Sequence, residues 1–154
     1  MTKYWLMKSE PSCFSIDDLQ QSLNQTSCWD GVRNYQARNF MRDDMQILDK
    51  IFFYHSNCKT PGIVGIAEVA SKPYPDHTAW DPSSEHPDSK STPDNPIWYM
   101  VDVKFVEKFP AIIPLDSLRK YNELKDFKLL HKGNRLSILP VTNAEWKFIL
   151  SCVA

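Results

Sequence analysis

The stretch Ile51-Phe52-Phe53-Tyr54-His55-Ser56-Asn57-Cys58-Lys59-Thr60-Pro61-Gly62-Ile63-Val64-Gly65-Ile66-Ala67-Glu68-Val69 decides the fold. Aromatic and β-branched residues fill both of its ends, as they do in strands. Asn57 to Gly62 between them has the residues of a turn. The stretch therefore reads as two strands joined in a hairpin. Trp98-Tyr99-Met100-Val101-Asp102-Val103 reads as the next strand of the same sheet. Upstream, Tyr4-Trp5-Leu6-Met7 is a short buried strand stopped by Ser9-Glu10-Pro11.

Helical patterns flank these strands. Ser15 is an N-cap with acid behind it, and Ile16, Leu19 and Leu23 recur at helical spacing, which predicts a helix from Ile16 to about Leu23. A second helix is expected over Tyr35–Met41, with Asn34 as its cap. Leu115, Leu118 and Tyr121 predict another, and Phe127, Leu129 and Leu130 a short one. Arg135 to Pro140 alternates like a strand. Thr142 and Glu145 form a capping box ahead of a terminal helix carrying Trp146, Ile149 and Leu150. The order β-α-α-β-β-β-α-α-β-α predicts an α+β fold with a mostly antiparallel, strongly curved sheet, in one domain over residues 1–154. Pro73 to Pro96 holds six of the 11 prolines. It reads as an ordered functional loop or flap rather than a linker, because too little chain follows for a second core.

Composition narrows the function. Hydrophobic residues make up 42% and charged residues 24%, an ordinary globular balance. The net charge of -1 leaves no attractive field over the whole surface, so a nucleic-acid site must be a local basic patch. Cys13, Cys28, Cys58 and Cys152 form no CxxC pair and no zinc spacing, and no disulfide framework is expected. Cys13, Cys28 and Cys152 read as plain small apolar residues. The start of the chain is too interrupted by charge for a signal peptide, and no apolar run reaches bilayer length. A soluble protein is expected, in the cytoplasm, or in the nucleus if the source is a eukaryote. The four glycines fit no dinucleotide, phosphate-loop or hydrolase motif.

Five constellations are candidates for chemistry. Lys8-Ser9-Glu10-Pro11 puts polar groups at a strand end, facing either a ligand or solvent. Trp29-Asp30-Gly31-Val32-Arg33-Asn34 offers either a stacking wall with close backbone approach or a core tryptophan followed by a turn. Arg33, Arg38 and Arg42 are three of the five arginines, and form either a phosphate-binding stripe or a solvated face beside Asp43 and Asp44. Tyr54-His55-Ser56-Asn57 ends a strand, where His55 and Ser56 point to opposite faces and so make a poor catalytic pair. In the proline loop, Tyr74 and Trp80 with Asp76 and Asp81 either close over a base or pin the loop to the core.

These segments resemble the EVE domain family, part of the PUA-like superfamily that includes the YTH and ASCH domains. The matching runs are YWLMKSEP at 4–11, WDGVRNYQARNF at 29–40, FYHSN at 53–57, PGIVGIAEV at 61–69 and RLSILPV at 135–141. The resemblance implies a mixed, mostly antiparallel pseudo-barrel with flanking helices. It also implies binding of DNA or RNA carrying a modified base, of methylated cytosine or adenine type, flipped into an aromatic pocket without catalysis. On that likeness Trp29 is a cage wall and Lys8 and Ser9 the floor, with Gly31, Val32, Asn34, His55, Ser56, Asn57 and Trp80 completing the pocket. Arg33 and Arg38 are the expected phosphate ligands. No metal, cofactor or membrane is expected, and the protein is expected to act as a monomer. An enzyme using His55 in the same pocket, and an interaction module with a vestigial pocket, are the alternatives. Two departures stand out. Leu48-Asp49 replaces the family's Gly-Asp before the FYHSN strand, and the family's tyrosine-containing stretch is not matched around His86-Pro87-Asp88.

Overall fold

The computed structural model describes residues 2–153; Met1 and Ala154, the ends of the predicted 1–154 domain, lie outside it. Strand β1 (Tyr4–Ser9) runs two residues beyond the predicted apolar run. Pairing holds it extended: Lys8 lies opposite Tyr54 and Ser9 opposite His55. Helix α1 (Ile16–Gln21) opens on a reciprocal capping box between Ser15 and Asp18, with Ile16 and Leu19 buried. It stops short of the predicted Leu23, which is 86% exposed. Ser22 leaves the helical conformation there, and a 3-10 turn (Leu23–Gln25) redirects the chain into β2 (Thr26–Cys28). This three-residue polar strand carries no alternation that would mark it in the sequence.

Helix α2 (Tyr35–Asn39) is capped by Asn34, whose side chain accepts from the Ala37 amide, and it continues into a π-helical turn (Phe40–Asp44). The predicted hairpin forms as β3 (Lys50–His55) and β4 (Gly62–Val69). The expected strand at Trp98–Val103 is divided. Its first half, β6 (Tyr99–Met100), pairs with β5 (Tyr74–Pro75) in a separate two-stranded ladder at the neck of the proline loop. The main-sheet strand is β7 (Asp102–Pro114), 13 residues long. The partner changes at Val101, whose carbonyl accepts from the Trp29 amide. Helix α3 (Leu115–Leu118), two 3-10 turns, β8 (Ile138–Val141) and helix α4 (Asn143–Ser151) complete the chain.

The six-stranded sheet has the order β2-β7-β4-β3-β1-β8. Among the described residues only β1 and β3 of this sheet pair in parallel; the other ladders are antiparallel. Register shifts interrupt β3 at Phe53/Tyr54 and β4 at Ile63/Gly65 and Ile66/Ala67. Each such irregularity adds twist and bends the sheet, so it curls into the half-barrel of the expected PUA-like α+β architecture. Gly65 lets α1 settle on this curve, because a Cβ there would meet the Ile16 side chain and the Glu107 carbonyl. Strand alternation sorts the core to the two faces. Trp5, Met7, Ile51 and Phe53 join α1 and α2 on one side, while Leu6, Phe52 and Tyr54 join Phe127 and Trp146 on the other. Burying each large apolar side chain contributes roughly 1.5–3 kcal/mol.

The segment leading into β3 carries Leu48 where the resemblance expects glycine. Leu48 stands at φ +77° and donates its amide to the Val69 carbonyl. Asp49, 2% exposed, accepts from the Lys3 amide, the Trp5 indole and the Gln46 amide. The left-handed conformation costs a side-chain-bearing residue about 1–2 kcal/mol. Part of that is offset because glycine loses more freedom on folding. Leu48 is 60% exposed and gives up little burial when removed. Leu48→Gly is therefore expected to raise stability by about 0.5–1 kcal/mol, read as a higher urea midpoint at unchanged slope. A lower midpoint would show that the leucine side chain, not its backbone strain, dominates at this position.

Candidate functional site

Because β1 and β3 are parallel neighbours, their C-terminal ends open at the same place. Lys8 and Ser9 leave one strand there, and Ser56 follows the other. Together with Trp29, Gly31 and the flap they line a cavity of about 720 Å³. That lies within the roughly 300–1,000 Å³ range of small-molecule clefts. Glu10, Cys13 and Phe14 form one side, Ser27, Cys28 and Asp30 another, and Arg135 and Ser137 a third. Thr78 and Ser83 to His86 supply the flap wall.

Trp29 serves both readings left open by its sequence context. It is 7% exposed, belongs to the core, and sets its ring edge-on to Phe53 at 5.4 Å between centroids. Its indole N–H finds no acceptor among the described residues, and it is not a sealed, unsatisfied donor, so it reaches open space. The cavity it lines supplies that space. Trp29 is thus anchored by its body and presents a donor at its edge.

The flap is held down by one buried group. Asp76 is 0% exposed. One carboxylate oxygen accepts from the Gly31 amide at 2.8 Å and from Arg33 Nη1 at 3.0 Å. The other accepts from the Thr78 amide at 2.9 Å and its hydroxyl at 2.6 Å. Burial pushes the Asp76 carboxyl up, but these hydrogen bonds outweigh it and hold the group below the usual carboxylate range. Arg33 also reaches the His86 carbonyl through Nε at 3.0 Å and Nη2 at 2.7 Å. Gly31 stands at φ +80°, and a Cβ there would come within 2.6 Å of the His86 ring. Only glycine lets the flap descend this far.

A ladder of planar groups extends the clamp. The Arg33 guanidinium lies 5.7 Å from the Trp98 ring, Trp98 stacks on Tyr35 at 4.8 Å, and Arg38 lies 4.9 Å from Tyr35. Arg38 also donates to the Ile97 carbonyl at 2.8 Å. The Trp98 indole donates to Asp88. Thus His86 and Asp88, in the stretch that departs from the family pattern, both fasten the flap.

Five of the residues expected in the pocket line the cavity: Lys8, Ser9, Trp29, Gly31 and Ser56. The structure does not bring the others to its wall. Val32 is buried in the core, and Asn34 is turned inward to cap α2. His55 Nε2 accepts from the Ile16 amide at 3.1 Å, which holds the ring behind the strand end. Asn57 donates to Glu10. Trp80 ends the 3-10 turn His77–Trp80 away from the cavity. Arg33 and Arg38, the expected phosphate ligands, are engaged in the clamp. Cys28, read as a plain apolar residue, is instead a cavity wall. Burial pushes its thiol up, and Asp30, Asp102 and Asp76 add to the effect. Burial lowers both Lys8 and His55. No group of three or more His, Cys, Asp and Glu side chains comes together as metal ligands among the described residues. Asp30 lay inside the candidate Trp29–Asn34 run without a role of its own, and sequence reasoning missed the Ser83–His86 wall, Arg135 and Ser137. The signal for them was present only as polar composition in the flap and in the run before β8.

The EVE domain model matches residues 3–152. Mouse thymocyte nuclear protein 1 is 48% identical over 168 residues, covering 98% of this chain and 74% of the mouse protein. The human THYN1 protein, solved in complex with 5-methylcytosine containing DNA, is 46% identical with a TM-score of 0.93, over 98% of this chain and 97% of that one. A protein from Pseudomonas syringae is 48% identical with a TM-score of 0.93, over 97% and 98% of the two chains. An ASCH protein from Zymomonas mobilis, 10% identical with a TM-score of 0.55, shares the fold alone.

Asp76→Ala is expected to cost about 3 kcal/mol, since it strands the Arg33 charge and the Gly31 amide. Amide exchange over residues 73–96 should rise more than in β3 or β4. The folded Asp76 carboxyl titrates below the unfolded value of about 3.9. Its contribution is therefore complete above that pH and is lost as pH falls through the folded value. Wild-type flap protection should fall in that acid window. Identical acid profiles for wild type and Asp76→Asn would rule out the carboxylate as the latch.

Proposed function

The chain belongs to the EVE domain family, and on that premise we propose that it binds DNA carrying a modified base, 5-methylcytosine first among them, by taking the base into the cavity between the ends of β1 and β3 without transforming it. The observation that carries this reading is the set of unpaired polar groups around one cavity. The Trp29 N–H, the Lys8 ammonium and the Asp30 carboxylate have no hydrogen-bond or ion-pair partner among the described residues, and all three line the cavity beside Phe14 and Cys28. The human relative's complex with 5-methylcytosine containing DNA supports the choice of ligand.

Chemical matching gives each group a role. An acidic side chain accepts from the exocyclic amine of cytosine, so Asp30 reads that edge. Lys8 and the Trp29 N–H donate to the O2 carbonyl and the N3 ring nitrogen. Flipping a base costs a few kcal/mol, and stacking on an aromatic side chain returns roughly 1–3 kcal/mol per base. A buried methyl group adds about 0.8 kcal/mol, which is the margin between modified and plain cytosine. Ser9, Gly31 and Ser56 shape the floor and the approach.

Binding without turnover is supported by how the candidate catalytic groups are used. His55 holds the Ile16 amide with the nitrogen a general base would need. The Ser9 hydroxyl donates to the Phe14 carbonyl at 2.6 Å, which turns it from a nucleophile into a brace. Neither is poised for proton transfer.

Two oligonucleotides of one sequence, with and without a single 5-methylcytosine, test the proposal. Wild type should bind the methylated strand severalfold more tightly. Asp30→Ala, at an exposed position, should lower affinity for cytosine-containing sites about tenfold, at the low end of the roughly 1–3 kcal/mol of a base-edge contact. Trp29→Phe keeps an aromatic body against Phe53 and removes only the N–H, so it should weaken binding while leaving thermal stability nearly unchanged. Equal wild-type affinity for the two oligonucleotides would overturn the methyl-reading role.

A further inference from the structure

With Arg33 and Arg38 committed to the flap, the phosphates flanking a bound base need other partners. Residues 119–135, between α3 and β8, carry Arg119, Lys120, Lys125, Lys128, Lys132 and Arg135 against two acids, Glu123 and Asp126. That is four positive charges in excess, in a chain whose net charge is -1. All six cations are exposed, while Leu118, Leu124, Phe127 and Leu129 beneath them are buried. The apolar residues fix this strap to the core and leave its basic side outward. Asn134 stiffens its return by donating to the Lys128 carbonyl and accepting from the Leu136 amide.

Elsewhere four of the twelve cations are ion-paired among the described residues. Arg33 meets Asp76, Arg42 meets Asp43, Lys50 meets Glu68 and Lys108 meets Asp17. In the strap, among the described residues, only Arg119 has an acidic partner, Asp116 at 3.7 Å. Three of the strap's cations also surround a hollow. Arg119, Lys120, Tyr121, Asn122, Lys125 and Leu130 line a concavity of about 430 Å³. Tyr121 is 37% exposed there and braced edge-on by Phe148 at 5.0 Å.

The strap meets the main cavity at one end. Its C-terminal end supplies Arg135 to the cavity wall, and the Lys8 amide donates to the Ser137 carbonyl just beyond. Lys8, on the cavity floor, lies 6.0 Å from the Tyr54 ring. The strap therefore carries basic side chains from the concavity around Tyr121 to Arg135 at the cavity wall.

We infer that the 119–135 strap is the track for the sugar-phosphate backbone beside the bound base, with Lys120, Lys125 and Arg135 meeting phosphates and Tyr121 stacking a neighbouring base. This inference rests on the DNA-binding reading above and assigns the part of the strand outside the cavity. Such contacts give affinity without sequence preference and make it salt-dependent.

Lys120→Gln/Lys125→Gln, measured against the methylated and plain oligonucleotides over a salt series, tests it. Affinity should fall about tenfold for both at low salt. The slope of log affinity against log salt should drop by about 0.7–0.9 for each lost contact. The preference for the methylated strand should persist. Lys72→Gln/Lys104→Gln removes the same charge from exposed positions on another face and should change affinity and slope little. Tyr121→Ala should weaken binding without changing the slope. If wild type discriminates methylation but both charge variants behave alike, the strap is not the track while the cavity reading stands. If wild type binds neither oligonucleotide, both proposals fall. If the strap variant alone loses methyl preference, it acts on the cavity and not on the backbone.

Discussion

The contact between Asp76 and Arg33 is the constraint on which the site depends. An ionised carboxylate with no exposed surface is costly unless donors surround it. Asp76 collects four, from Gly31, Arg33 and Thr78. These donors come from distant parts of the chain, so satisfying one charge brings the Trp29–Asn34 turn and the proline loop together. The Arg33 fork then extends the same contact to His86. The cavity has a flap wall because this charge must be matched. Planar geometry matters as much as charge, since a lysine could not serve Asp76 and the His86 carbonyl with one rigid fork.

Sheet topology supplies the other half of the site. In antiparallel neighbours, a strand end lies beside a strand beginning. The single parallel pair, β1 with β3, instead brings two C-terminal ends together, and with them Lys8, Ser9 and Ser56. The register shift at Phe53/Tyr54 lies just before this point and reorients the end of β3. Phe53 then supports Trp29 from below, so the core and the cavity wall are the same packing layer.

Charge is divided between these two regions in a way that the total conceals. The arginines that cluster in sequence at 33–42 fasten the flap or pair with a neighbouring acid. The lysines dispersed over 119–135 remain in solvent. A net charge of -1 therefore coexists with a local basic face, and attraction to a polyanion becomes a property of one surface rather than of the whole molecule.

Sequence by itself determined the local elements whose causes are local. The capping boxes at Ser15 and Thr142, the Asn34 cap, the β3–β4 hairpin and the alternation that sorts Phe52 from Phe53 all follow from neighbours within a few residues. The family motifs likewise carried the PUA-like α+β fold, because the WDGVRNYQARNF run is long and specific. Tertiary structure alone decided what depends on distant partners. It ended α1 before Leu23, made a strand of Thr26–Cys28 by pairing it with β7, and divided Trp98–Val103 between two sheets. It drew Arg33 and Arg38 to the flap and turned His55 to the Ile16 amide. Trp29 had two readings in sequence, wall and core; the fold packs its ring edge-on to Phe53 in the core and also puts the residue on the cavity lining. An arginine or a tryptophan declares in sequence only what it can bond. Which bond it makes is settled by the group that folding places beside it, and for Arg33 that group is Asp76, 43 residues further along the chain.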